Sequence, residues 1–222
     1  MTERSEHPRL ARQVGARQGA AYNYEGERVM LRRDLVGAVD LPSGELLVCD
    51  AGDSTDDSVS VRVSPGSYRV YVTSFRGEYA EVHEPITATL AVRLRETGGI
   101  SFDPLGRHAI TPPVEDPDDP EDDQLHFVGV DSGLVCAVDR AAWSTGAGVS
   151  HGPISIAEQV ALPDGSRAVV SSSGLGGGGY PVFGGFDLHG DLAVVYVSFD
   201  LVFEGERDPS MGAEDGVPTA RY

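Results

Sequence analysis

The sequence predicts a mainly β protein: two packed, mostly antiparallel sheets in a sandwich-like arrangement, with a few short helices. Three observations lead there. Apolar and β-branched residues come in short runs bounded by Gly, Pro, Asp and Ser, the punctuation of strands joined by turns. Helical periodicity is scarce. The chain also carries a faint internal echo, in which SGELLVCDAGD (Ser43 to Asp53), PGSYRVYV and TLAVRL return in part as SGLVCAVD (Ser132 to Asp139), GGYPVFGGF and DLAVVYVSF. That order implies one β unit built twice, or two sheets made from similar hairpins.

Each run has its own warrant. Ser43-Gly44 opens the first echoed strand. Val59 to Val63 alternates strictly; after a turn at Pro65-Gly66, Tyr68 to Thr73 alternates again, so the two form a hairpin candidate. Ile86 to Leu94 mixes β-branched and apolar residues. Leu125 to Val130 and Leu134 to Val138 are split by Asp131-Ser132-Gly133, and Arg167 to Ser171, Tyr180 to Phe186 and Leu192 to Phe203 complete the set. Their shortness and Gly-rich boundaries suit a sandwich or barrel. Three weak helix signals remain. Pro8 to Gln18 reads as either a helix or a flexible arm. Ser155-Ile-Ala-Glu158 has capping-box spacing and predicts a short helix to Ala161, ended by Pro163-Asp164-Gly165. Asp139 is a candidate N-cap for one turn over Arg140 to Trp143.

Charge divides the chain further. Arginine supplies all 17 basic residues against 35 acids, a formal net charge of −18. The absence of lysine and the single asparagine, Asn23, point to a GC-rich bacterial coding sequence. Residues 1–33 hold seven arginines and four acids and read as an arginine-containing arm. Residues 115–123, EDPDDPEDD, hold seven acids and two prolines; such a block repels itself and reads as a solvated loop. The segment 34–203 is then a single β-rich domain, and 204–222 a loosely held tail.

An acidic surface of this size repels phosphate backbones and argues against nucleic acid, while it suits a basic protein partner. The longest apolar runs, such as Leu192 to Val197, fall far short of the ~20 residues that span a bilayer, so no membrane role is expected. The polar opening segment has no apolar core, which sets the expected location as cytoplasmic. Cys49 and Cys136 are accordingly expected as buried, reduced thiols.

Candidate chemistry is sparse. GLGGGG (Gly174 to Gly179) matches G-x-G-x-x-G, yet a strand, not a helix, is expected to follow, and a dinucleotide loop needs the helix N-terminus. Gly148-Val-Ser150-His-Gly152 matches G-x-S-x-G, and Asp187 and His189 downstream supply Ser, Asp, His order; Ser150 is then a candidate nucleophile, His189 its base and Asp187 the orienter. The preceding STGAG reads as loop, where a nucleophile elbow needs a strand. The six histidines (7, 83, 108, 126, 151 and 189) are scattered without metal-ligand spacing, and DAGDSTDD (Asp50 to Asp57) lacks calcium-loop spacing, so neither metal nor cofactor is expected. Asp50 and Asp139, which end the two echoed strands, are candidate binding residues if the two halves bring them to one cleft, where paired carboxylates shift each other's pKa. Their other reading is that each caps a turn or short helix.

The ordered set LPSGELLVCDAG, SPGSYRVYVTS, LAVRL, VDSGLVCAVD and GGGGYPVFGGFDLHGDLAVVYVSF, from about Leu41 to Phe203, resembles the bacterial domain-of-unknown-function family 4241. The resemblance implies a β-rich fold and no established activity. One departure is that Gly176-Gly-Gly-Gly179 stands where the family pattern has Gly-Asp-Gly, so any role of that acid is absent here. Two functions follow as expectations: a non-catalytic binding or interaction protein, of the immunity type, and, as the alternative, a serine hydrolase using Gly148 to Gly152.

Overall fold

The computed structural model describes residues 19–23, 27–52, 57–76, 85–97, 100–105, 108–109, 126–143 and 154–203. Two antiparallel sheets pack face to face, as the alternating runs predict. The larger has nine strands: β1 (Gly19–Asn23), β2 (Arg28–Leu41), β5 (Gly66–Phe75), β6 (Ile86–Arg93), β7 (Ser101–Pro104), β8 (His126–Val130), β12 (Gly178–Phe186), β13 (Leu192–Ser198) and β14 (Val202–Phe203). Its order is β14-β1-β2-β5-β6-β13-β12-β7, with β8 pairing the first half of β12 and β7 the second. The smaller sheet runs β10 (Ala157–Ala161), β11 (Arg167–Ser172), β9 (Leu134–Asp139), β3 (Glu45–Asp50), β4 (Val59–Arg62). One helical turn, α1 (Arg140–Trp143), follows β9. Among the described residues no helix is long and apolar enough to cross a membrane.

The main core lies between the sheets. Leu46, Val48, Val135, Ala137 and Val169 of the small sheet meet Val39, Leu41, Val70, Val72, Leu90, Val92, Val182 and Val195 of the large one. The small sheet is also buried on its other face, where Leu47, Cys49, Cys136, Val138 and Val170 pack under Trp143 and Leu162. Burial on both faces explains why LLVC and LVCAV read as continuous apolar runs, since successive side chains alternate between two apolar layers.

Strand β2 ties the sheets together at one edge. A bulge between Leu35 and Gly37 interrupts its ladder with β5, and the Ala38 N–H there donates to Gln159 Oε1 of β10 at 2.8 Å. The Gln159 side chain lies so close to Gly37 that a Cβ there would sit 2.5 Å from Oε1. Two residues along the strand, Asp40 accepts Nε and Nη2 of Arg167 at 2.7 and 2.6 Å, a bidentate bridge from β2 to the start of β11. These contacts hold Asp40 below the ordinary carboxylate range, chiefly through the Arg167 hydrogen bonds.

Three sequence expectations meet a different outcome. Residues 155–161 form no helix: Ala157–Ala161 is strand β10, paired antiparallel with Arg167–Ser171 across the Pro163-Asp164-Gly165 turn. Val59 to Thr73 is no hairpin: β4 pairs β3 in the small sheet while β5 pairs β2 and β6 in the large one, so Pro65 marks a crossing between layers. Residues 19–23 and 28–33, within the segment read as an arm, supply β1 and the start of β2. The acidic loop 115–123, the helix candidate 8–18 and the tail 204–222 lie outside the described residues.

The echo is resolved into two different things. β3 and β9 lie side by side, antiparallel, with Val48 opposite Ala137 at the centre of their ladder. The repeated hairpins β5–β6 and β12–β13 instead join edge to edge through β6 and β13 in the large sheet. Each half of the chain therefore contributes strands to both sheets.

Candidate functional site

The residues that the echo singles out form a reciprocal brace. Each echoed strand begins at a Ser-Gly turn and ends at an aspartate, and antiparallel pairing sets the start of one beside the end of the other. Asp139 Oδ2 accepts the Ser43 N–H at 2.9 Å and the Ser43 hydroxyl at 2.7 Å. At the opposite end, Asp50 Oδ2 accepts the Ser132 N–H at 2.8 Å, and its Oδ1 the Ser132 hydroxyl at 2.5 Å. The turns match: Gly44 and Gly133 have φ of 74° and 76°, a left-handed conformation that glycine adopts without steric cost. The serine hydroxyls match too, accepting the N–H of Glu45 and Leu134, each at 3.2 Å.

The remaining carboxylate capacity is spent locally. Asp139 Oδ1 accepts the Ala141 and Ala142 N–H groups at 2.9 and 3.3 Å, capping α1 as its spacing predicts. Asp50 accepts the Gly52 and Asp131 N–H groups at 2.6 and 2.5 Å. Burial alone would raise the Asp50 pKa, but the Ser132 hydroxyl and the Ser132, Gly52 and Asp131 N–H groups together hold it below the usual range. Both aspartates are buried. They do not share a cleft: Asp50 is opposite Val135 and Asp139 opposite Leu46, about 13 Å apart along the ladder at ~3.3 Å per residue. The Asp139 end opens on a shallow depression of about 400 Å³ between Pro42, Ser43, Ala142, Leu162 and Asp164.

Asp187 and His189 fall in the β12–β13 turn. Asp187 Oδ1 accepts the main-chain N–H groups of His189 and Asp191 at 2.9 and 3.0 Å, and Gly190, with φ of 80°, closes the turn. Arg95 lies 3.7 Å from Asp187 Oδ2 and 2.7 Å from Asp191. The Asp191 N–H bond first, with that of His189 and the nearby Arg95 charge, lowers the pKa of this carboxylate against the opposing effect of burial. The bond to His189 thus reaches its backbone, the arrangement of a turn-forming aspartate. Ser150, with the rest of Gly148 to Gly152, lies outside the described residues.

The glycine run is a strand connection. Ser173 and the Tyr180 hydroxyl both donate to the Gly176 carbonyl at 2.6 Å, and β12 follows directly where a dinucleotide loop would place a helix. At Gly174, φ is 75° and a Cβ would meet Leu201 Cδ1 at 2.5 Å, so a tight turn accounts for that glycine. Pro181, which has no N–H to give, precedes Val182, the first β12 residue paired with β13. No group of three or more metal-ligating side chains occurs among the described residues.

Sequence reasoning missed one cluster. Arg33, Thr73 and Thr89 stand opposite one another on β2, β5 and β6. Their Nε and two Oγ1 atoms are buried without a hydrogen-bond partner among the described residues. The Arg33 guanidinium lies 4.0 Å above the Tyr71 ring, and burial, then Arg93, lowers its pKa. No sequence motif marks this row, because it is assembled from three strands by register alone.

A family model described as a protein of unknown function (DUF4241) matches residues 39–159, more than half of the chain. The match takes in both braces and ends before the glycine run. No curated protein and no solved structure matches.

Proposed function

The chain belongs to the DUF4241 family of proteins of unknown function, and from the chemistry of its own residues we propose that it is a non-catalytic binding protein of the immunity type, acting on a basic protein. The observation that carries this reading is the charge: 35 acids face 17 arginines and no lysine. A field of that sign draws a cationic surface, speeds its encounter and repels nucleic acid. The deployment of the candidate carboxylates supports it, since Asp50, Asp139 and Asp187 are all engaged with backbone N–H groups. The proposed setting is the cytoplasm, with neither nucleic acid nor membrane as partner.

The test is co-expression of the chain with products of its neighbouring genes, followed by affinity capture at low and high salt. A basic partner retained at low salt, released as salt rises, and inhibited by the purified chain is the expected result. Capture of no partner at low salt overturns the proposal. The alternative is a hydrolase built on Ser150. A fluorophosphonate probe decides it, because labelling of the wild-type chain that is lost in Ser150→Ala would replace the binding reading with an enzymatic one.

A further inference from the structure

The two cysteines occupy a position that composition alone does not disclose. Cys49 and Cys136 stand directly opposite each other in the β3–β9 ladder, so both side chains leave the same face of the sheet. That face is the outer one, where both are 0% exposed beneath Trp143 and Leu162. The Ala51 N–H bonds the Leu134 carbonyl at 2.9 Å, and pairs in an antiparallel ladder alternate. Two residues along, Cys49 and Cys136 are therefore again a hydrogen-bonded pair, with an expected Cα separation of about 5.5 Å. A disulfide spans Cα separations of about 4.4–6.8 Å and Cβ separations of about 3.5–4.5 Å, so the Cα atoms of this pair are already in range and its Cβ atoms, about 4.5–5.5 Å apart in such ladders, draw together slightly as the bond forms. Both thiols are free in this structure.

We propose that Cys49 and Cys136 are a site of covalent modification, closing to a cross-strand disulfide when the protein meets a peroxide. A small, neutral oxidant suits a pair covered by Trp143 and Leu162. One thiol is oxidised to a sulfenic acid as the peroxide O–O bond breaks and water leaves. The facing thiol then attacks that sulfur, forming the S–S bond and releasing a second water. Two S–H bonds and one O–O bond are consumed, and no further reductant or oxidant enters.

The local chemistry makes the first step slow. A hydrogen bond with the Cys136 thiol, then burial and the neighbouring charges, push the Cys49 pKa up, and the reactive species is the thiolate. The second step is fast by comparison, because the partner thiol is already in place and no solvent competes for the sulfenic sulfur. A pair so placed proceeds to the disulfide ahead of over-oxidation.

The experiment treats the native full-length protein with hydrogen peroxide, quenches it, alkylates remaining thiols in denaturant, and maps an arginine-specific digest without reductant. The expected product is a monomer in which the peptides 34–62 and 108–140 are joined through Cys49 and Cys136. Its melting temperature should rise by about 10 °C, because the bridge closes a loop of roughly 90 residues in the unfolded chain. Cys49→Ser and Cys136→Ser should show no such rise. The wild-type map decides the matter even where a variant folds poorly. Complete alkylation of both thiols, sulfinic acid on either one, or disulfides between chains would each overturn the proposal.

Discussion

Replacing Asp50 by asparagine changes one oxygen to an NH2 group in a site lined by three backbone N–H donors and the Ser132 hydroxyl. Asp50 is 4% exposed and accepts four hydrogen bonds, from Ser132 (N–H and hydroxyl), Asp131 and Gly52. In the variant one side of the amide turns a donor toward donors. A hydrogen bond to a charged group contributes about 1.5–3 kcal/mol, and an orphaned buried donor costs a further ~1–3 kcal/mol. Asp131 and Ser132 are themselves exposed and regain water, so the terms do not sum in full and a loss of about 2–4 kcal/mol is expected. Urea unfolding followed by circular dichroism reads this as a fall of roughly 1–2 M in midpoint at an m of about 2 kcal/mol/M. The pH dependence gives a second check. The folded Asp50 pKa lies below its unfolded value of about 3.9, so its contribution is full above that pH and is lost as pH falls through the folded value. The gap between wild type and Asp50→Asn should therefore be widest near neutrality and close below about pH 4. Asp139→Asn, at the far end of the ladder, should add to Asp50→Asn within about 0.5 kcal/mol. An Asp50→Asn protein within 0.5 kcal/mol of wild type at neutral pH, or a gap independent of pH, would refute the brace as described.

Other substitutions probe the rest of the scaffold. Gly174→Ala forces a Cβ into Leu201 and the Thr87 carbonyl at a left-handed φ; a loss of about 2–4 kcal/mol in urea unfolding is expected, and a neutral outcome would mean that the turn relaxes freely. Arg167→Lys keeps the charge but loses the bidentate geometry on Asp40. The urea midpoint should fall, by more at low salt than at high, and an unchanged midpoint at low salt would show that the bridge does not join the sheets.

What the sequence made legible was set by how local each signal is. Val59–Val63, Ile86–Leu94, Leu134–Val138 and Leu192–Ser198 announce themselves because their apolar pattern is their own, whatever they pair with. The short strand at Ala157–Ala161 does not: Ser155 and Glu158 have a helix-start spacing, and only the ladder with β11 decides otherwise. β2 hid for a different reason. Its bulge at Leu35/Gly37 shifts the phase of side chains midway, and the arginines at 28, 32 and 33 give it the look of a polar arm. For the candidate site, the capping role of Asp139 was readable from Asp-Arg-Ala-Ala-Trp, being local. The bonds from Asp50 and Asp139 to serines across the ladder were not, because they depend on which strands meet. The Arg33–Thr73–Thr89 row was invisible on the same ground.

The interleaving of the two halves bears on how the chain is made. While only residues before 126 have left the ribosome, β3 lacks β9 and β6 lacks β13, so two strands at the middle of the finished sheets are bare edges. Such edges are templates for pairing with other chains. At a synthesis rate of about 5–20 residues per second they stay open for roughly 5–20 s before the C-terminal strands arrive. The two sheets are thus left incomplete until β9 and β13 have emerged. During that interval the excess of acidic side chains opposes pairing between neighbouring nascent copies.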